Sequence, residues 1–113
     1  MTHAAKIKIL FVCSRNQRRS PTAEAMFRGE ASYEARSAGT ENGARIKLTA
    51  GLVGWADLIF CMEKSHAARV QESFSQELGD KPLIVLRIPD DYEFMDPALI
   101  DLLQTELEPY PEV

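Results

Sequence analysis

Cys13, Arg15, Arg18 and Arg19 stand within the eight residues CSRNQRRS, and Pro21 follows directly. A loop running from a strand into a helix aims several backbone N–H groups at one point, and the helix N-terminus adds roughly half a positive charge there. Anions bind at such a point. Ser14, Arg15, Asn16, Gln17, Arg18, Arg19 and Ser20 are the candidates to surround one, as a phosphate-binding loop. The planar fork of Arg19 can take two oxygens of a phosphate or similar oxyanion, which a lysine could not match. The same field stabilises a thiolate at Cys13. Ionised sulfur facing a bound phosphate within one loop is placed for in-line attack on phosphorus, and the product is a cysteinyl-phosphate.

A leaving alkoxide or phenoxide needs a proton, so a carboxylic acid is expected across the cleft. The acidic stretch PDDYEFMD supplies Asp90, Asp91, Glu93 and Asp96. Asp96 is the first choice because Pro97 follows it and opens a helix, which fixes the backbone there. As a carboxylate the same group could activate the water that hydrolyses the intermediate. Asp90 and Asp91 remain alternatives. With Arg19 and the loop amides supplying positive charge, neither a metal nor a cofactor is expected.

The elements around these residues follow from patterning. KIKILFV (6–12) is an apolar, β-branched run that reads as a buried strand ending at the loop. Ser20 is a candidate N-cap and Pro21 a first helical residue, with Ala23, Met26, Phe27 and Ala31 at helical spacing behind them. YEARSAGT (33–40) reads as a second strand, and ENGARIKLT as irregular. Thr49 caps a short helix through Gly54, ADLIFCM (56–62) is a third strand, and a polar helix runs from Glu63 to Leu78. PLIVLRI (82–88) is a fourth strand. In PALIDLLQTEL, Leu99, Leu102, Leu103 and Leu107 line one helical face. Strands apolar on both faces, alternating with helices, predict an α/β fold: a small doubly wound four-stranded parallel sheet with helices on both faces and ligands at the carboxyl ends of the strands.

Length and charge set the limits. The 113 residues, 45% of them hydrophobic, suit a single domain over 1–113. A net charge of −4 and the absence of a long Lys/Arg run argue against nucleic acid as a partner. The N-terminal apolar run is shorter than a signal peptide's core and is interrupted by lysines, and no stretch reaches transmembrane length, so the expectation is a cytoplasmic protein without membrane contact. A monomer is the default. Cys13 and Cys61 have no zinc-type spacing, and in a reducing cytosol no disulfide is expected. Cys61 reads as a core residue, with a redox partnership to Cys13 as its functional alternative. His66 reads as a surface residue or a supporting hydrogen-bond donor, and His3 and the tail EPYPEV as disordered or frayed.

These residues carry a resemblance. Cys13, five residues, then Arg19, Ser20 and Pro21 at the first strand-to-helix turn, followed by TAEAMF, resembles the low-molecular-weight protein tyrosine phosphatase family. RSAGT (36–40), ADLIFCM (56–62) and the pair Asp96-Pro97 follow in the family's order. The resemblance implies a phosphotyrosine protein phosphatase I-like fold with Cys13 as nucleophile, Arg19 as phosphate clamp, Ser20 as a donor to the sulfur, Asp96 as acid, and Asn16 and Ser37 bracing the loop. It implies hydrolysis of phosphate monoesters, on a phosphorylated protein, above all phosphotyrosine, or on a small phosphoester. The chain departs from the family in having Arg15 where a glycine is usual and Arg18 where a second cysteine often stands. The helix after the second strand is missing. Ala98 and Leu99 replace the aromatic residues after Asp-Pro, with Tyr92, Phe94 or Trp55 as substitutes. The alternatives are a phosphate- or phosphoprotein-binding module without turnover, an arsenate reductase using an external thiol, and a phosphocarrier.

Overall fold

The computed structural model describes residues 6–110; His3 and the end of the EPYPEV tail lie outside the described residues. Among the described residues nine elements follow one another: β1 (Ile7–Cys13), α1 (Arg19–Met26), β2 (Tyr33–Gly39), α2 (Ala50–Trp55), β3 (Leu58–Cys61), α3 (Lys64–Ser73), α4 (Ser75–Leu78), β4 (Leu83–Val85) and α5 (Pro97–Leu107). The four strands form one parallel sheet in the order β2-β1-β3-β4.

The alternation of side chains along β1 explains the two layers. Ile9, Phe11 and Cys13 face one way, packing with Phe60 and Met62 against Ala23 of α1 and Leu99, Leu103 and Leu107 of α5. Leu10 and Val12 face the other way with Ile59 and Cys61, against Val53 of α2, Ala67 and Val70 of α3 and Leu78 of α4. Each such buried aliphatic or phenyl side chain contributes roughly 1.5–3 kcal/mol. This is the expected doubly wound α/β architecture, and it leaves the carboxyl end of β1, where Cys13 sits, between its two neighbours β2 and β3.

Local readings needed correction in three places. α1 begins at Arg19, with Arg18 at the N-cap and no side-chain cap; Ser20, expected to cap, is inside the helix, and its hydroxyl serves the loop instead. The polar helix expected over 63–78 breaks at Phe74 (φ −135°, ψ 34°) into α3 and α4, because the Phe74 ring turns in against the α2–α3 side of the core. β4 is only Leu83–Val85, since Arg87 turns the chain at φ 61°, although Leu86 and Ile88 still donate to Cys61 and Met62 carbonyls. The irregular ENGARIKLT segment and the Thr49 cap, which accepts from Leu52 N–H at 3.2 Å, are as expected.

Candidate active site

The loop after β1 is shaped from outside. The carbonyls of Cys13, Ser14 and Arg15 accept from the N–H groups of Thr40, Glu41 and Arg45 at 3.0, 2.9 and 3.0 Å, and the carbonyl of Asn16 accepts from Arg45 Nε at 3.0 Å. In a trans peptide the C=O and the following N–H point in opposite directions. Four outward carbonyls therefore turn the amides of Ser14, Arg15, Asn16 and Gln17 inward, into a nest for an anion. The Asn16 amide donates to Cys13 Sγ at 3.2 Å. The left-handed turn this requires falls on Asn16 (φ 57°), a residue type that tolerates it, and Arg15 is not among the residues of positive φ. Arg15 in the family's glycine position thus leaves the nest intact.

Beneath the nest lies a chain of buried side chains. Asn16 Nδ2 donates to Ser20 Oγ at 2.9 Å, and Ser20 Oγ is 2.9 Å from Cys13 Sγ. The Ser20 hydroxyl hydrogen is free to turn to the sulfur, which also accepts the Asn16 N–H. Asn16 Oδ1 is buried without a partner. Ser37, expected to brace the loop with Asn16, instead donates to Glu24 Oε1 at 2.6 Å.

Arg19 is only 2% exposed. Its guanidinium donates to the Ile88 carbonyl at 2.8 Å and to Glu63 Oε2 at 2.5 Å, and Nε is 3.6 Å from Asp90 Oδ1. Glu63 caps α3, whose backbone amide at His66 it accepts, and Arg19 holds its carboxyl below the usual carboxylate range. His66 is equally buried and links two elements: Nδ1 accepts from Glu63 N–H at 3.0 Å and Nε2 is 2.9 Å from Ser14 Oγ.

Above Cys13 is a cavity of about 50 Å³ lined by Cys13, Arg15, Gln17, Arg18, Arg19 and Asp90. The sequence-predicted loop residues thus divide: Arg15, Gln17, Arg18 and Arg19 line the cavity, while Asn16 and Ser20 lie beneath it and Ser14 turns to His66. Arg15 and Arg18 are exposed and paired with Glu41 (3.1 Å) and Glu93 (3.5 Å), contacts weak enough in solvent to yield to a bound anion. Of the candidate acids, Asp90 reaches the cavity. Asp96 does not line it: its carboxylate caps α5 by accepting from Ala98 N–H at 2.9 Å. Asp91 is exposed.

A second groove, about 360 Å³, shares Gln17 with the first and is walled by Pro21, Glu24, Arg28, Arg45 and Phe94. Phe94 is 53% exposed there, whereas Trp55 stacks under Arg36 and Tyr92 packs on the core. Cys61 is buried on the opposite face of the sheet from Cys13, which removes it as a redox partner. Among the described residues no three His, Cys, Asp or Glu side chains are grouped as a metal site would need, and no helix is long and apolar enough to cross a membrane.

Three contributors escaped the sequence reading: Glu63, Gly39 and Arg45. Glu63 was legible in principle, since it lies just beyond the carboxyl end of the strand neighbouring β1. At Gly39 a Cβ would meet Ser14 O at 2.6 Å and Ala44 Cβ at 2.7 Å, a contact between segments with no local pattern.

The family model for low molecular weight phosphotyrosine protein phosphatase matches residues 8–54, which run from β1 into α2 and include the whole loop. No curated protein matches the chain in sequence. Among solved structures, the tyrosine phosphatase Wzb from Escherichia coli in complex with phosphate superposes with a TM-score of 0.74 at 21% identity, covering 96% of this chain and 98% of that one. A YwlE mutant from Bacillus subtilis gives 0.61 at 25% identity over 95% and 93%; another YwlE structure is described as an arginine phosphatase with a phosphorylated active-site serine. The low molecular weight protein tyrosine phosphatase SP-PTP from Streptococcus pyogenes gives 0.72 at 20% identity over 94% and 93%.

Proposed function

We propose that the chain, whose residues 8–54 match the family model for low molecular weight phosphotyrosine protein phosphatase, hydrolyses phosphate monoesters through a cysteinyl-phosphate, with Cys13 as nucleophile, Arg19 as clamp and Asp90 as acid and base. The observation that carries this reading is the sulfur itself. Cys13 Sγ accepts from Asn16 N–H, lies 2.9 Å from Ser20 Oγ and lines one cavity with Arg19. A phosphoryl group in the nest would present phosphorus to that sulfur, with its equatorial oxygens on the inward amides and the guanidinium.

In the first step the S–P bond forms and the P–O bond to the leaving group breaks, the leaving oxygen taking a proton from Asp90. In the second a water attacks phosphorus, the S–P bond breaks, and the Asp90 carboxylate takes the water's proton, releasing phosphate and thiolate. Asp90 replaces Asp96 in this scheme because it stands at the cavity while Asp96 is engaged in capping α5. The cavity is large enough for little beyond the phosphoryl group. The esterified group would therefore lie along the adjoining groove, where the exposed Phe94 ring and Pro21 suit a phosphotyrosine side chain on a protein.

Release of p-nitrophenol from p-nitrophenyl phosphate without added metal, compared between wild type and Cys13→Ser, tests the proposal. Turnover lost in Cys13→Ser, with a phosphorylated enzyme trapped in Asp90→Asn and seen as added mass, is the expected result. Equal turnover in both proteins would overturn it.

A further inference from the structure

We propose that His66 is a positioning residue of this site, its two ring nitrogens holding the nucleophile loop at Ser14 and the Arg19 clamp, through Glu63, in one arrangement. The inference rests on the phosphatase reading for its kinetic arm only.

The argument begins with what each partner can do. A backbone amide only donates, so the Nδ1 atom that receives Glu63 N–H at 3.0 Å carries no hydrogen. The neutral ring must then be protonated at Nε2, which donates to Ser14 Oγ at 2.9 Å. The direction of both bonds is thus fixed by chemistry rather than by choice. Ser14 is the residue directly after the nucleophile, and its carbonyl is one of those that turn the nest inward.

The other end reaches Arg19. With its amide held by the ring, Glu63 receives the His66 N–H on its backbone carbonyl at 3.1 Å and the Arg19 guanidinium on its carboxylate, which closes the first turn of α3 around the ring. The ring is 2% exposed and does not line the cavity, so it acts through Ser14 and Glu63 and touches no substrate. One buried imidazole therefore ties the start of the loop on β1 and the clamp on α1 to the first turn of α3.

The bridge exists only with a neutral ring. A second ring hydrogen would face the Glu63 amide, donor against donor, and open the cap. Burial and the Arg19 charge push the His66 imidazole below its usual range, against opposing pulls from Glu63 on its own helix, Glu41 after β2 and Asp90 after β4. The clamp is accordingly set at neutral pH and loosens as acid protonates the ring.

Isosteric substitutions separate the two ends. His66→Asn keeps an acceptor near Nδ1 and loses the Ser14 bond; His66→Gln keeps a donor near Nε2 and loses the cap. The readouts are kcat and KM for p-nitrophenyl phosphate from pH 4.5 to 8, the inhibition or binding constant of inorganic phosphate, and the melting temperature. His66→Asn, and Ser14→Ala, which leaves the buried ring untouched, should lower kcat by about tenfold with phosphate affinity nearly unchanged. His66→Gln should weaken phosphate by a similar factor, and both His66 variants should lose the part of the acid fall in phosphate affinity that belongs to the ring. Ser14→Ala and His66→Asn combined should cost no more than either alone. Variants that merely melt earlier, with kcat, phosphate affinity and pH profile as in wild type, would overturn the proposal, and so would full additivity of the pair. If wild type turns over no phosphoester, the phosphatase reading fails, while phosphate binding measured by calorimetry still decides the role of His66.

Discussion

Ser20 Oγ lies 2.9 Å from Cys13 Sγ while accepting from Asn16 Nδ2 at the same distance. With Asn16 donating to it, the hydroxyl can turn its own hydrogen toward the sulfur, which also takes the Asn16 N–H at 3.2 Å. Ser20→Ala removes this contact with the sulfur and leaves the buried Asn16 Nδ2 unpaired, at a cost of about 1–3 kcal/mol. The expected outcome is a fall of roughly ten- to hundredfold in kcat, and slower iodoacetate alkylation of Cys13 at pH 6. Unchanged alkylation in a folded variant would show that the Ser20 contact does not set the reactivity of the sulfur.

Asp90 and Asp96 differ in what already occupies them. Asp90 Oδ1 is 3.6 Å from Arg19 Nε at the cavity, whereas Asp96 accepts from Ala98 N–H at the start of α5. Asp90→Asn should lower kcat on phenyl phosphate, a poor leaving group, by about 10²–10⁴ and on p-nitrophenyl phosphate much less, because general acid catalysis matters most where the leaving oxygen is basic. Asp96→Ala should cost about 1 kcal/mol of stability through the lost cap and leave kcat close to wild type. The reverse pattern would return the acid to Asp96.

Gly39 fixes the loop from behind. Its missing Cβ is the space into which Ser14 O and Arg15 C come, at 2.6 and 3.0 Å from where a Cβ would stand. Both neighbours are backbone, so neither can swing aside. Gly39→Ala should destabilise by about 1–3 kcal/mol through overpacking and lower kcat by more than tenfold, because the displaced nest no longer meets the phosphoryl oxygens. Denaturant melts and steady-state kinetics on the same preparation check both; a folded variant with full activity would show that the loop tolerates the shift.

Sheet, helices and loop were legible because they depend on local pattern. β1 is apolar on both faces, Leu99, Leu103 and Leu107 recur at helical spacing, and Cys13 to Pro21 is contiguous. Where one side chain answered to tertiary packing, local reading failed. Ser20 looks like a cap by type but is drawn inward by Cys13 and Asn16, and Phe74 breaks a polar helix by packing on Val70's side of the core. Asp96 was singled out for the proline behind it and for the Asp-Pro pair of the resemblance, and the structure shows its carboxylate accepting from Ala98 N–H at the start of α5. The roles of Gly39 and Arg45 depend on contacts across 25 and 29 positions of chain, counted from Ser14 and Asn16 respectively, and no spacing rule reaches so far.

Cys61 supplies a control for all thiol chemistry. Burial pushes its thiol up to about 12, so in the native protein it stays neutral and inaccessible at pH 7–8. Iodoacetamide should add one equivalent to the native chain, at Cys13, and two after denaturation, read by intact mass. The linkage has a definite sign. A thiol raised in the folded state is protonated there but ionised in the unfolded chain above its ordinary value near 9, so stability falls as pH climbs from 9 toward 12. A melting temperature flat across that range would show that Cys61 is solvated.

In the proposed reaction, the groove beside the cavity would receive the group to which the phosphoryl is attached. Phe94 is 53% exposed beside Pro21, and Arg28 stands on the same wall; neither belongs to the loop that would hold phosphate. An aromatic ring lying on Phe94 removes apolar area from water, and full burial of such a ring is worth about 1.5–3 kcal/mol. Phe94→Ala should therefore raise KM for a phosphotyrosine peptide roughly tenfold and leave hydrolysis of glycerol phosphate, which has no ring to stack, unaffected. Arg28→Glu should weaken peptides with acidic residues beside the phosphotyrosine and spare those with neutral ones. Equal losses on peptide and glycerol phosphate would place the groove's effect in the loop rather than in substrate contact.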